Sequence, residues 1–298
     1  MRFIVGKDIK NKTNEPQSEA CVFLVKGELA LNITALDKSI GSDLNQIIRT
    51  PRLAEQFADF DSKEAIPLSQ IQPCLPLQQP GKVICLGLNY MDHIKEGGYK
   101  VPDYPALFMR SNTSLMPSQA PMVRPNVSIQ LDYEAELMLI IGKQGRHIPE
   151  SDAHDYVFAY TLFNDGSVRD YQRKTHQWTP GKNFDDTGAV GPIVVTPDEL
   201  PEGAVGLKIE TRVGDEILQS ANTSEMLWSV AKVIAEISSY TTLEPGDLIA
   251  MGTPPGVGHA RTPPRWLKPG ETVDVEIEGI GICSNPIIDE ETIAGGQS

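Results

Sequence analysis

Aromatic side chains make up only 6% of this 298-residue chain, too few for the stacking platforms of a single-stranded nucleic-acid binder. Positive charge is also scarce. Twenty-six Lys and Arg stand against 40 Asp and Glu, a formal net charge of −14 that repels phosphate backbones and anionic membrane surfaces. Nucleic acid and membrane are therefore not expected as partners. No apolar run is long enough to span a bilayer, and the opening strand-like run Arg2 to Val5 lacks the apolar segment and small-residue cleavage site of a signal peptide. A cytoplasmic location is the expectation. The four cysteines, Cys21, Cys74, Cys85 and Cys283, lack the short paired spacing of a zinc knuckle or redox motif and read as reduced small hydrophobes. A solenoid period is absent as well.

What remains is ordinary globular material, 40% hydrophobic and 22% charged, enough for one large domain and a smaller module. Residues 1–78 read as a small N-terminal domain, with strand-like Cys21 to Val25, a turn at Lys26-Gly27 and Leu29 to Ile33. Pro73, Pro76, Pro80 and Gly81 punctuate its end. In residues 79–298 short apolar runs alternate with Gly and Pro turns, so the fold class expected is α+β and β-rich. One helix stands out after Asn222, where Leu227, Val230, Ala231, Ile234 and Ile237 recur at helical spacing and Thr223 or Ser224 can cap it. The tail Ala294 to Ser298 has too little apolar content to pack and reads as disordered.

The strand-like run Leu131 to Ile141 carries Glu134 and Glu136 two residues apart, hence on one face. In a dry environment two such carboxylates repel and raise each other's pKa unless a cation intervenes. A bare pair of this kind is more often a solvated strand face. A third oxygen could come from Asp165, at the acidic turn ending the apolar run Tyr156 to Phe163, though Asp before Gly is more often a turn former. Three carboxylates without nearby His or Cys favour Mg²⁺ or Mn²⁺ over zinc. Such an ion also supplies the positive centre an acidic protein needs to bind a carboxylate.

His93 and Glu96 lie three apart after an apolar strand and meet on one face if the segment turns helically. A carboxylate on one imidazole nitrogen strengthens the other as a base; an exposed polar turn is the competing account. Gly97-Gly98 and the polar stretch through Tyr104 could order over a substrate as a lid, or form a plain surface loop. Of the basic residues from Gln172 to Asp185, Lys182 sits between Gly181 and Asn183 where it could approach a ligand, while most of the others read as surface. Met251-Gly252-Thr253-Pro254-Pro255-Gly256 offers backbone amides and the Thr253 hydroxyl as a carboxylate cradle. It lacks the Gly-Lys-Ser/Thr ending of a phosphate loop.

In order and content these segments resemble the fumarylacetoacetate hydrolase family over about residues 80 to 288: Gly87-Leu88-Asn89-Tyr90, the Glu-x-Glu strand, Asn164-Asp165, Gly181-Lys182 and Gly252-Thr253-Pro254. The resemblance implies a mixed, rolled β-sheet domain, a homodimer, and Mg²⁺ or Mn²⁺ held by Glu134, Glu136 and Asp165. It further implies Lys182 beside the metal, His93 and Glu96 as a water-activating pair, and Gln172 and Thr253 at the substrate, with Asn89 and Arg110 as pocket wall. The expected substrate is a small 2-oxo or 2,4-dioxo acid. The expected reaction is hydrolysis of the bond between C3 and C4 of an acylpyruvate or fumarylpyruvate, releasing pyruvate or an analogue and a carboxylic acid. Decarboxylation, isomerisation and hydration are the alternatives on the same site, and a catalytically silent metal- or acid-binding protein is the alternative of another class.

Overall fold

Among the described residues, the apolar runs that Gly and Pro separate in the sequence assemble into three sheets, of 13, five and two strands. The computed structural model describes residues 1–10, 19–98 and 100–291; the tail and Tyr99 of the expected lid lie outside them. At the centre of the large sheet Ala135–Ile141 runs antiparallel to Val157–Asp165, with Ala135 opposite Asn164 and Leu139 opposite Tyr160. On its other side come Leu248–Ala250, then Val83–Gly87 in parallel, then Ala106–Met109 at the edge. The five-stranded sheet joins Glu216–Asn222, Lys208–Val213, Thr272–Ile277, Gly281–Asp289 and Met122–Arg124. The architecture is the β-rich α+β class expected from the sequence.

Ala135–Ile141 is buried along its whole length, which explains why its apolar run is continuous rather than alternating. Leu137, Leu139 and Ile141 pack with Ile209, Val273 and the helix Val230–Tyr240, whereas Met138 and Ile140 pack with Phe3, Leu24 and Ile47. Each such side chain contributes on the order of 1.5–3 kcal/mol by leaving water. The second of these clusters is the link to the N-terminal residues. Arg2–Asp8 pairs with Ile193–Val195 on one side and with Cys21–Lys26 on the other, so these N-terminal strands extend the large sheet.

Two local expectations differ from what forms. The strand expected over Leu131 to Ile141 is interrupted: Leu131–Asp132 pairs with Ser167–Val168, and the long strand begins only at Ala135. The late helix begins at Val230 and is capped by Ser229, whose hydroxyl accepts from the Lys232 amide at 3.2 Å. Thr223 and Ser224 lie in a separate short turn capped by Asn222. The helix cannot start earlier because Asn89 takes the Leu227 and Trp228 amides, at 2.8 and 2.7 Å. No described helix is long and apolar enough to cross a membrane.

Candidate active site

The break before Ala135 places acidic side chains at the mouth of the central strands, where the chain is held by paired backbones. Asp165 donates its amide to the Glu134 carbonyl at 2.9 Å, and Glu134 donates its own to the Asn164 side chain at 3.0 Å. One oxygen from each of Glu134, Glu136 and Asp165 lies within 4.8 Å of the others, and all three residues are buried. Lys182, also buried, sets its Nζ 2.7 Å from Glu134 and 2.6 Å from Asp165. Burial opposes charge on both partners. It is outweighed at Lys182 by Asp165 and Glu134, which raise its pKa, and at Glu134 by Lys182 and Arg169, which lower its pKa.

Glu136 is different: its hydrogen bond comes from the Gly252 amide, at 2.9 Å. Burial first, and then the charges of Asp165 and Glu134, push its carboxyl well above the usual range, against the weaker pull of Lys182 and that amide. Two carboxylates with cationic partners and a third without one make an all-oxygen donor set that fits a hard divalent cation. Gly252 is required here. Its φ of +87° favours glycine, and a Cβ would stand 2.8 Å from the Asn89 Cβ.

His93 lies on the helix Met91–Glu96, so the helical turn expected for this pair does form. Its Nδ1 is 2.8 Å from Glu96, whose other oxygen accepts from the Gly256 amide at 2.9 Å. That contact assigns the proton to Nδ1 and leaves Nε2 as the ring's acceptor nitrogen. Thr253 accepts at its hydroxyl from Gln219 at 2.9 Å, and Gln219 in turn accepts from the Ala135 amide at 3.0 Å, tying Thr253 to the Glu-x-Glu strand.

Six of the residues singled out in the sequence, His93, Glu134, Glu136, Gln172, Lys182 and Thr253, line one cleft. Glu96 and Asp165 stand behind His93 and Lys182. Asn89 and Arg110 are placed deeper than a pocket wall. Asn89 is fully buried and donates to the Met251 carbonyl at 2.7 Å. Arg110 pairs with Asp165 and donates to Thr187 at 2.8 Å and Ser114 at 3.1 Å. Both position site residues from behind.

Arg169 and His259 complete the cleft, with Asp132 buried behind them, and all three went unremarked in the sequence. Arg169, 2% exposed, reaches Asp132 through Nε at 2.7 Å, and Glu134 and Gln172 through one terminal nitrogen at 2.7 and 3.0 Å. Its other terminal nitrogen is buried and has no hydrogen-bond partner among the described residues. Because Arg169 lines the cleft, that nitrogen is a ready donor to an anionic ligand. Period-two spacing was the available signal for Asp132, which precedes Glu134 as Glu134 precedes Glu136. Trp178 and Phe108 form an apolar wall, ring centroids 5.6 Å apart.

Residues 82–288 match the family described as fumarylacetoacetate (FAA) hydrolase C-terminal. The mitochondrial oxaloacetate tautomerase Fahd2a of Rattus norvegicus is 42% identical over 224 residues, covering 75% of this chain and 71% of that protein. Among solved structures, a fumarylacetoacetate hydrolase from Exiguobacterium antarcticum superposes with a TM-score of 0.81 at 34% identity, covering 97% of this chain and all of the other. Maleylpyruvate hydrolase from Sphingobium sp. SYK-6, solved with manganese(II) and pyruvate, gives a TM-score of 0.79 at 26% identity over 98% of this chain and all of the other. With the family match spanning well over half of its length and the carboxylate cluster, lysine and His-Glu pair gathered in one cleft, the chain belongs to the fumarylacetoacetate hydrolase family.

Proposed function

We propose that this protein interconverts the keto and enol forms of a small 2-oxo dicarboxylate of the oxaloacetate type, with Mg²⁺ or Mn²⁺ held by Glu134, Glu136 and Asp165. The observation that carries the reading is the buried, unpartnered nitrogen of Arg169 in the same cleft as the His93 base. A 2-oxo acid has one anionic end that a cation held by the cluster would take, and a dicarboxylate presents a second that a guanidinium suits. The 42% identity to a tautomerase supports the proton-transfer reading over the hydrolytic one.

When bound, the cation acts as a Lewis acid that polarises a 2-oxo group and makes the adjacent C–H more acidic. The chain's own residues do the rest. His93, its Nδ1 proton held by Glu96, takes a proton from C3 at Nε2 in the keto-to-enol direction and returns one in reverse. Arg169 and Gln172 hold the substrate's anionic end, and Lys182 offers positive charge where negative charge grows on the C2 oxygen. Phe108 and Trp178 keep water from that wall.

Hydrolysis of a 2,4-dioxo acid is the second reading, favoured by the full-length superposition on the Exiguobacterium and Sphingobium hydrolases; there His93 would deprotonate water instead. Metal-stripped protein resupplied with Mg²⁺ or Mn²⁺ distinguishes the two. The first reading expects accelerated loss of oxaloacetate enol absorbance, falling about 10²–10⁴-fold in His93→Gln. Pyruvate release from acylpyruvates, with oxaloacetate equilibrating at the uncatalysed rate, would establish the second reading and dismiss the first.

A further inference from the structure

The cleft contains a second imidazole with a carboxylate beside it. His259 lies in the turn Gly258–Ala260 and lines the same cleft as His93. Its Nδ1 is buried, lies 3.4 Å from the Asp132 carboxylate and makes no hydrogen bond among the described residues. Its backbone amide donates to the same oxygen at 3.0 Å, and the Gly258 amide donates to the other at 2.8 Å. The turn cannot back away: a Cβ at Gly258 would come within 1.9 Å of the Arg265 carbonyl and 2.5 Å of Asp132. Nor can Asp132 swing, since it is fully buried and holds Arg169 at 2.7 Å. A carboxylate on the Nδ1 side favours a proton there and Nε2 as the acceptor, although the contact is longer than the 2.8 Å hydrogen bond from His93 to Glu96.

We propose that His259 is the second proton-transfer group of the cleft, a reading that rests on the tautomerase function. In the enol-to-keto direction its Nε2 takes the proton of the C2 hydroxyl, and the O–H electron pair becomes the C2–O π bond. The former C2–C3 π pair forms a new C3–H bond with a proton from His93 in its imidazolium form. Charge passes from one ring to the other, Asp132 stabilises the imidazolium formed on His259, and exchange with water resets both. The charged groups about the ring are Asp132, Arg169 and Arg173. Burial first, and the two guanidinium charges, outweigh the attraction of the Asp132 carboxylate and keep the imidazole below its ordinary pKa. It is therefore neutral and able to accept a proton near pH 7.

The test compares wild type, His259→Gln and His259→Ala in oxaloacetate ketonisation. The expected result is a kcat at least about 10²-fold lower in both variants, KM within about threefold of wild type, and partial recovery of His259→Ala alone by added imidazole. A kcat within threefold of wild type overturns the proposal. So does a raised KM at unchanged kcat, or a rate loss that imidazole does not lift, which makes the ring a packing group. A readout independent of turnover is the proton NMR signals of the His259 ring, identified by their loss in His259→Gln. These shift when oxalate and Mg²⁺ are added, and signals that stay put overturn the proposal. Inactive wild type with shifted signals sinks the tautomerase reading while His259 still meets ligand. Active wild type matched by His259→Gln sinks the His259 step alone.

Discussion

Replacing Asp132 by Asn removes one charge and almost no volume, which makes it a sharp probe of the ionic scaffold under the cleft. One oxygen accepts from the Tyr133 and Gly258 amides at 2.9 and 2.8 Å. The other accepts from Arg169 Nε at 2.7 Å and the His259 amide at 3.0 Å. An asparagine has one acceptor oxygen, so whichever way it is turned its NH₂ group faces two donors. Arg169 is left with Glu134 as its ionic partner. Breaking a buried pair from one side costs about 3–5 kcal/mol. At about 2.1 cal/mol/K of unfolding entropy per residue, 298 residues give about 0.6 kcal/mol/K, so Tm falls by about 5–8 °C in differential scanning calorimetry. The exposed Lys95–Asp92 pair supplies the control: Asp92→Asn shifts stability by no more than about 0.5 kcal/mol. A Tm for Asp132→Asn within 1 °C of wild type refutes the scaffold argument.

Two further outcomes follow from the same electrostatics. Mg²⁺ or Mn²⁺ at about 100 times its Kd stabilises the folded chain by about 2.7 kcal/mol, about 4 °C on the same entropy. Chelator removes this shift and Glu136→Gln abolishes it, so an equal shift in that variant in thermal melts rejects the cluster as the binding site. At Glu210, burial disfavours the charged form but the hydrogen bonds from Lys208, Arg212 and Ser220 prevail and lower the carboxyl pKa to about 2 from 4.5. The resulting stabilisation is present in full above pH 4.5 and lost as pH falls through about 2. Denaturant titrations from pH 6 to pH 2 therefore show a shallower acid loss in Glu210→Gln than in wild type, and parallel curves contradict the assignment.

Much of this cleft is legible in the chain because its groups fall on regular local structure. Three-residue spacing on a helix joins His93 to Glu96, and two-residue spacing puts Glu134 and Glu136 together. Spacing could not say that the strand would break at Tyr133-Glu134, since that break depends on Leu131–Asp132 pairing with Ser167–Val168. Nor could it say that Arg169, just ahead of the basic stretch that begins at Gln172, turns inward. Its burial is set by carboxylates 35 and 37 positions earlier. The late helix makes the same point. Thr223, Ser224 and Ser229 are all acceptable caps by residue type, and the choice falls to Ser229 because a residue from another element, Asn89, occupies the amides between.

The sequence-wide charge of −14 and the proposed binding of a dianion are reconciled at this depth. Four buried carboxylates, Asp132, Glu134, Glu136 and Asp165, meet three buried cations, Arg110, Arg169 and Lys182, which leaves one net negative charge in a low-dielectric setting. A proton on Glu136, whose pKa burial and its neighbours raise, cancels it. A divalent cation bound with Glu136 ionised instead reverses it to one positive charge. Cation and proton therefore compete at Glu136, and cation and anionic substrate support each other. By linkage each must raise the other's affinity by the same factor. The guanidinium of Arg169 extends that positive field to the substrate, because one terminal nitrogen is held by Glu134 while the other is left to meet a ligand.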